Sequence, residues 1–417
     1  MKILVIGGGG REHAVCCQLK KSPKVKELYC LPGNAGIAEV AQCADGSVMD
    51  FDKIAAFSKQ KNIDLVFVAP DDPLAAGLVD FLTEKGIRAF GPTAAAAKIE
   101  SSKAFSKAFM LRNNIPTARY SVFSEYQAAK EYIEKGGFPV VIKADGLALG
   151  KGVLICDDLN SALCALDDIM NKKVFGASGN SVVIEEFLTG REFTVLAFTD
   201  GETVKCMPAS QDHKKAYDND LGLNTGGMGA FAPTPLYTKE VETETLEKIV
   251  KPTIAAIKSE GRKFSGVIYF GLMLTKDGVK VIEYNARLGD PEAQATLPLL
   301  QTDFTDIINA CIDGTLDKID IKWADGAGFC VVVASGGYPA NVVKGYPITI
   351  EPLSDKIKLF HSGTKLKDGV LVTNGGRVLC VTTVAKNIEE ARKTVYAEID
   401  KIKFEGARYR TDIGIKR

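Results

Sequence analysis

The chain carries no surplus of charge: Lys plus Arg and Asp plus Glu each number 52 in 417 residues. No global field therefore draws it to nucleic acid or to an anionic membrane, although a phosphate ligand needs only a local basic site. No apolar run approaches the length of a membrane span. The N-terminus lacks a secretory pattern, reading instead as a short first strand followed by glycines. Internal repeats and low-complexity tracts are absent. The ten cysteines are scattered, with Cys16 and Cys17 adjacent and no C-x-x-C pair. They read as free thiols of a reducing compartment, so a cytoplasmic location is expected.

What is present is ordinary for a globular protein of two to four domains: 46% hydrophobic and 25% charged residues. The first third alternates strands (residues 2–6, 27–31 and 64–69) with helices (11–20 and 73–85), the rhythm of a parallel sheet covered on both faces. An Ala- and Lys-rich helical stretch spans residues 93–112, with a domain boundary near 99–102. A smaller α+β unit follows over 116–188, then larger strands at 192–198 and 203–208. Residues 212–235 are polar and rich in Gly and Asn, too long for a simple connection and expected to form a functional loop. One long helix over 238–260 and strands at 266–274 and 279–284 come next. The last ninety residues are mostly strands, with one helix at 388–402. The expected units are 1–100, 101–325 (with a subdomain at about 116–190) and 326–417.

Four motifs carry chemistry. Gly7-Gly8-Gly9-Gly10-Arg11-Glu12-His13 follows a strand and opens a helix, where main-chain N–H groups can bind an anion. It fails as a dinucleotide fingerprint, because Glu12 stands where a glycine is required. A tight structural turn, a substrate phosphate site and, least favoured, a nicotinamide site remain open. The second motif is a strand ending in Lys143, a glycine-rich hairpin holding Gly146, Gly150, Lys151 and Gly152, and a second strand. It is not a Walker A loop, which enters a helix. Glycines let main-chain N–H groups approach phosphate oxygens, and a lysine on an apolar strand is costly without an anion.

The third is Val183-Ile184-Glu185-Glu186-Phe187-Leu188, with Glu192 beyond it. Main-chain groups at Glu185 and Leu188 can read adenine, and Glu192 can hold ribose hydroxyls, though a solvated acidic strand end reads similarly. The fourth is Glu283-Tyr284-Asn285-Ala286-Arg287-Leu288-Gly289-Asp290-Pro291-Glu292. On a strand, positions 283, 285 and 287 share a face. Carboxylate and amide oxygens suit Mg²⁺, and Arg287 suits a phosphoryl or carboxylate oxygen.

Together these motifs resemble the ATP-grasp superfamily and, over essentially the whole chain, its phosphoribosylamine–glycine ligase (glycinamide ribonucleotide synthetase) family. The most specific runs are Asn224-Thr225-Gly226-Gly227-Met228-Gly229-Ala230 and Asn285-Ala286-Arg287-x-Gly289-Asp290-Pro291-Glu292. Pro32-Gly33-Asn34, Asp212-His213-Lys214, Ser335-Gly336-Gly337-Tyr338 and Asn374-Gly375-Gly376-Arg377 add to them. The resemblance implies an N-terminal Rossmann-like sheet, an ATP-grasp domain with a mobile lid, and a small mostly-β C-terminal domain. It implies that ATP, glycine and 5-phosphoribosylamine are joined through a glycyl phosphate in purine biosynthesis. By motif, Lys103 and Lys143 are phosphate contacts, Arg287 and Lys143 catalytic residues, and Glu283 and Asn285 ligands of Mg²⁺ or Mn²⁺. Gly9, Gly10, Arg11, Asn34, Asp212, Lys214 and Asp290 fall to the substrates, and a monomer or weak homodimer is expected.

Three positions depart from the family pattern. Asp71 replaces a glutamate and sits one methylene short. Arg191 stands beside the ribose ligand where the family usually has Glu. The strand at 267–274 carries no acid for a second metal. Competing readings are another ATP-grasp carboxylate–amine ligase, a silent ATP-binding module and a nicotinamide-dependent oxidoreductase. Intact Lys143, Glu283, Asn285 and Arg287 weigh against the second, and Glu12 against the third.

Overall fold

The computed structural model describes residues 1–148 and 152–415. The N-terminal unit is a five-stranded sheet in the order Gln42–Cys43, Glu27–Pro32, Lys2–Gly7, Leu65–Val68, Ala89–Phe90, parallel throughout. Its strands are apolar at successive positions because both faces are covered. Leu4, Ile6 and Val66 meet Ile54, Leu78 and Leu82 on one side. On the other, Ile3, Val5 and Phe67 meet Val15, Leu19, Phe304 and Ile307.

A four-stranded antiparallel sheet forms the small subdomain, in the order Tyr120–Phe123, Val182–Glu186, Val140–Ala144, Val153–Cys156. The helices Tyr126–Glu134 and Leu159–Met170 cover one face, packing Ala129, Ile133, Leu166 and Ile169 on Ile142 and Ile184. Alternation puts Val141, Lys143 and Glu185 on the opposite face. That face looks across a cleft at a second antiparallel sheet of Val204–Cys206, Gly190–Thr199, Gly266–Thr275 and Gly278–Asn285.

Several helices are shorter than periodicity suggests. The stretch at 73–85 breaks at Gly77, whose φ of +88° ends one helix and starts the next. The stretch at 93–112 breaks at Ser102, whose hydroxyl accepts the Phe105 N–H at 3.1 Å and caps Lys103–Arg112. Residues 239–259 run as Lys239–Thr245, a π-turn at Leu246–Val250, and Lys251–Ser259. Pro252 has no N–H to donate there, and the wider turn accommodates it. The C-terminal helix is Ile388–Tyr396; Ile402–Lys403 instead pairs with Thr349–Ile350, burying Ile402.

The C-terminal sheet has the order Gln211–Asp212, Gly229–Ala232, Ala327–Ala334, Arg377–Ala385, Lys358–His361. The polar segment at 212–235 is thus built into this sheet at both ends. Arg410 secures it further, with Nη2 2.9 Å from Asp220 and Nη1 donating to Lys215 O at 3.1 Å. Among the described residues, no helix is long and apolar enough to cross a membrane.

Candidate active site

The two antiparallel sheets and the segment 211–226 enclose a cleft of about 1590 Å³. Lys143, from the strand Val140–Ala144, and Lys103 and Lys107, from the helix Lys103–Arg112, line it. Lys143 Nζ lies 2.9 Å from Glu185 Oε1 and donates to Ile282 O at 3.3 Å. The anion that a buried strand lysine requires is therefore Glu185. The other oxygen of Glu185 lies 2.9 Å from Lys107 Nζ, and all three side chains are at most 5% exposed. Lys107 also donates to Thr117 Oγ1 at 2.8 Å. Burial pushes the Lys107 ammonium down to about 8, with Lys143 adding to the effect and Glu185 opposing it.

Lys103 Nζ donates to Gly146 O at 2.8 Å, tying the helix to the root of the glycine hairpin. Asp145 anchors the same root, accepting from Ser102 Oγ, the Ala104 N–H and Ser181 Oγ at 3.0–3.1 Å. Gly146 adopts a φ of +157°, and a Cβ there would meet Ser178 Oγ at 2.3 Å. Gly152 lines the cleft. Gly150 and Lys151 lie outside the described residues.

Across the cleft, the strand Gly278–Asn285 is bulged at Ile282. A bulge turns two successive residues to one face, and both Ile282 and Glu283 line the cleft, next to Asn285 and Arg287. Lys214 Nζ sits 3.4 Å from Glu283 and 3.8 Å from Glu192. Burial pushes the Glu283 carboxyl up, but Lys214, Lys143 and Lys103 outweigh it and hold it at about 2. Arg287 Nη2 lies 2.8 Å from Glu100 and 3.3 Å from Asn285 Oδ1.

Glu283 and Asn285 offer hard oxygens, and the lysines facing Glu283 favour its carboxylate form. Among the described residues, no cluster of three or more His, Cys, Asp or Glu is disposed to hold a metal. Two oxygen ligands nonetheless fit Mg²⁺, which commonly completes its shell with phosphate and water. Tyr269 and Gly271 stand opposite Asn285 and Glu283 on the neighbouring strand, which supplies no further acid.

Glu185, Leu188 and Glu192 all line the cleft, and Arg191 beside them is exposed. Of the expected substrate residues, Arg11, Asp212, Lys214 and Asp290 also line it. Burial pushes Asp212 up to about 7, with Lys214 opposing and Glu292, Glu192 and Glu283 reinforcing. Asp71 lines it near Arg11 and Arg287; burial pushes its carboxyl up, but the two arginines bring it below its ordinary value.

Gly9, Gly10 and Asn34 are not among the residues lining the cleft, and the Gly9 N–H and the Asn34 amide have partners within the protein. Glu12 Oε2 accepts the Gly9 N–H at 2.6 Å, so a carboxylate already fills the helix N-terminus. A Cβ on Gly9 would meet this buried side chain at 2.7 Å. A Cβ on Gly10 would meet Gln294 Nε2 and Ser362 Oγ at 2.5 Å each. The Asn34 amide donates to Gly8 O and His361 O at 2.9 and 2.7 Å and accepts from the Gly36 and Ile37 N–H groups.

Sequence reasoning missed Lys107, Glu100 and the role of Arg377. Lys107 lies one helical turn after Lys103, an i,i+4 spacing that could have flagged it. Arg377 comes from the C-terminal sheet. It lies 3.2 Å from Asp290 and donates to Gly226 O at 2.8 Å, joining the two most specific runs of the chain. Glu100 has no local signal at all.

A glycine hairpin and a buried lysine on one sheet, with two more lysines on an adjoining helix, face a carboxylate and an amide across the cleft, and this arrangement defines an ATP-grasp enzyme. Three consecutive phosphoribosylglycinamide synthetase models match the chain: the N domain at residues 1–100, the ATP-grasp (A) domain at 101–293 and the C domain at 328–416. The chain belongs to the phosphoribosylamine–glycine ligase family and is an ATP-using ligase. It is 48% identical over 414 residues to the phosphoribosylamine–glycine ligase of Caldanaerobacter subterraneus, covering 99% of each chain. The crystal structure of the Thermotoga maritima phosphoribosylamine–glycine ligase superposes with a TM-score of 0.85 at 34% identity, over 99% of this chain and 100% of that one. The biotin carboxylase domain of Hydrogenobacter thermophilus 2-oxoglutarate carboxylase, solved with MgADP and bicarbonate, shares the fold at TM-score 0.75 and 17% identity, over 98% and 91% of the two chains.

Proposed function

We propose that the chain joins glycine to 5-phosphoribosylamine, converting ATP to ADP and phosphate and releasing glycinamide ribonucleotide. The observation that carries the mechanism is the pairing of Arg287 with Asn285 beside Glu283, across the cleft from Lys143 and Lys103. A carboxylate is a poor electrophile, and transfer of the γ-phosphoryl group gives it a usable leaving group. A glycine oxygen bonds to Pγ while the Pβ–O–Pγ bridge breaks and ADP departs. The amine nitrogen then attacks the acyl carbon, phosphate leaves, and the nitrogen loses a proton.

In this reading Lys143 and Lys103 hold phosphate oxygens, and Glu185, Leu188 and Glu192 hold adenosine. Arg287 meets the charge that develops on the transferring group. Arg11, Asp71, Asp212, Lys214 and Asp290 surround the glycine and amine. Glu283 and Asn285 would hold Mg²⁺ (or Mn²⁺), which supplies charge neutralisation at the phosphates when bound. Enclosure by the lid and by residues 212–235 would protect the acyl phosphate from water.

No acyl-enzyme is invoked. His361 N–H donates to His13 Nδ1 at 2.8 Å, and burial pushes these two imidazoles down to about 4 and 3. Free thiols at all ten cysteines support a cytoplasmic location. The test is glycine-dependent ADP release with ¹⁸O-labelled glycine carboxylate. Label in the released phosphate is expected; label confined to the amide product and water overturns the acyl phosphate.

A further inference from the structure

Glu100 is buried, charged and outside every motif read from the sequence. It sits in the last turn of the helix Ala94–Ser101, the end at which the helix dipole disfavours a carboxylate. Burial pushes its carboxyl above the ordinary range, and Asp71 adds to that. Each of these effects opposes an ionised side chain here, and two contacts oppose them. Oε1 lies 2.8 Å from Arg287 Nη2, and Oε2 accepts the Ala286 N–H at 2.7 Å. One carboxylate therefore grips both the guanidinium and the peptide next to it.

Arg287 is otherwise a long side chain just past the end of a strand, two residues beyond the last ladder pair, Asn285 with Tyr269. Its remaining restraints are 3.3 Å to Asn285 Oδ1 and 3.2 Å to Leu288 O. Its Nε–H is buried and has no hydrogen-bond partner among the described residues. Such a donor is costly to leave unmet. Preorganised donors stabilise developing charge best, because nothing need reorient as the reaction proceeds.

We infer that Glu100 is a positioning residue whose two-point grip on Arg287 and the Ala286 N–H fixes the guanidinium beside Asn285, ready for the transferring phosphoryl group. This inference rests on the ligase reading above. A merely structural Glu100 would fasten the helix to the strand and leave turnover per folded molecule unchanged.

The test compares Glu100→Gln, Glu100→Asp, Arg287→Ala and the double variant Glu100→Gln/Arg287→Ala. Glutamine keeps the size and an acceptor for Ala286; aspartate keeps the charge. Glu100→Gln is expected to lower kcat about 10- to 100-fold while changing the KM for ATP less than about twofold. Glu100→Asp should recover part of the rate. In the Arg287→Ala background, Glu100→Gln should cost nothing more, because it acts through the missing group. A wild-type kcat in Glu100→Gln, or full additivity of the two losses, overturns the inference. If Glu100→Gln does not fold, Glu100→Asp carries the kcat and KM comparison. Absence of glycine-dependent ADP release in the unaltered protein would refute the ligase reading instead. The inference then stands or falls on the crystal structure of a folded Glu100 variant: a guanidinium shifted away from Asn285 supports it, and an unmoved one overturns it.

Discussion

Replacing Lys107 with methionine should weaken ATP binding without unfolding the protein. Two ammonium groups share the Glu185 carboxylate, at 2.9 Å each, and all three side chains are at most 5% exposed. For Lys143 to turn to a phosphate it must leave Glu185, and Lys107 keeps that carboxylate paired when it does. Without Lys107, the same movement strands a buried charge, which typically costs about 3–5 kcal/mol. Relaxation will return part of this, so a rise in the KM for ATP of about 10- to 100-fold is expected, at about 1.4 kcal/mol per tenfold. The change also has a signature in stability. The Lys107 pKa falls from 10.5 to about 8 on folding, so between these values the unfolded chain binds more protons. Stability from this group therefore rises as pH climbs from about 8 to 10.5 and is lost as pH falls back, by about 3 kcal/mol in all. Steady-state kinetics on ATP and urea unfolding at pH 8 and pH 10.5 check both parts. An unchanged KM in Lys107→Met, together with the wild-type difference in stability between the two pH values, would refute the shared-carboxylate account.

Glu283→Gln should fold normally and lose at least about 100-fold in kcat, as for a missing charge-stabilising group worth about 3 kcal/mol; near-normal turnover at saturating Mg²⁺ would remove it from the metal site. Glu192→Ala should raise the KM for ATP and leave kcat within a fewfold, since a ribose contact serves ground and transition states alike. A collapsed kcat with an unchanged KM would place adenosine elsewhere. Arg410 is 1% exposed, with Nε and Nη2 on Asp412 at 2.7 and 2.8 Å. Arg410→Ala should therefore lower the urea-unfolding free energy by about 3–5 kcal/mol, as when one partner of a buried ion pair is removed; a loss below about 1 kcal/mol would show that the tail does not hold the segment at 215–220.

The parts legible in the sequence are those whose physics is local. The parallel N-terminal sheet announces itself through strands apolar on both faces, as at Leu65–Val68. Glycine density between two apolar strands marks the hairpin, because few other patterns pair a strand lysine with so permissive a turn. Glu283 and Asn285 are readable as neighbours because strand geometry brings i and i+2 to one side, whatever the rest of the chain does. Family resemblance adds the reaction through runs such as residues 224–230, whose meaning no local rule supplies.

Other features exist only because distant segments meet. The Ser102 hydroxyl and the Ala104 N–H at the helix break are both taken by Asp145, more than 40 residues away. The hydrogen bond from the Asn34 amide to His361 O spans 327 residues, and no window of sequence could show it. The partner of Lys143 is likewise a tertiary matter: its strand demands an anion, but only the folded sheet reveals that Glu185 supplies it and Lys107 shares it. Local sequence determined which side chains want charge, a turn or burial, because those preferences follow from covalent neighbours and backbone geometry. Tertiary structure alone decided which charge answers which, because ion pairs and hydrogen bonds are settled by distances of about 3 Å between atoms that the chain order leaves far apart.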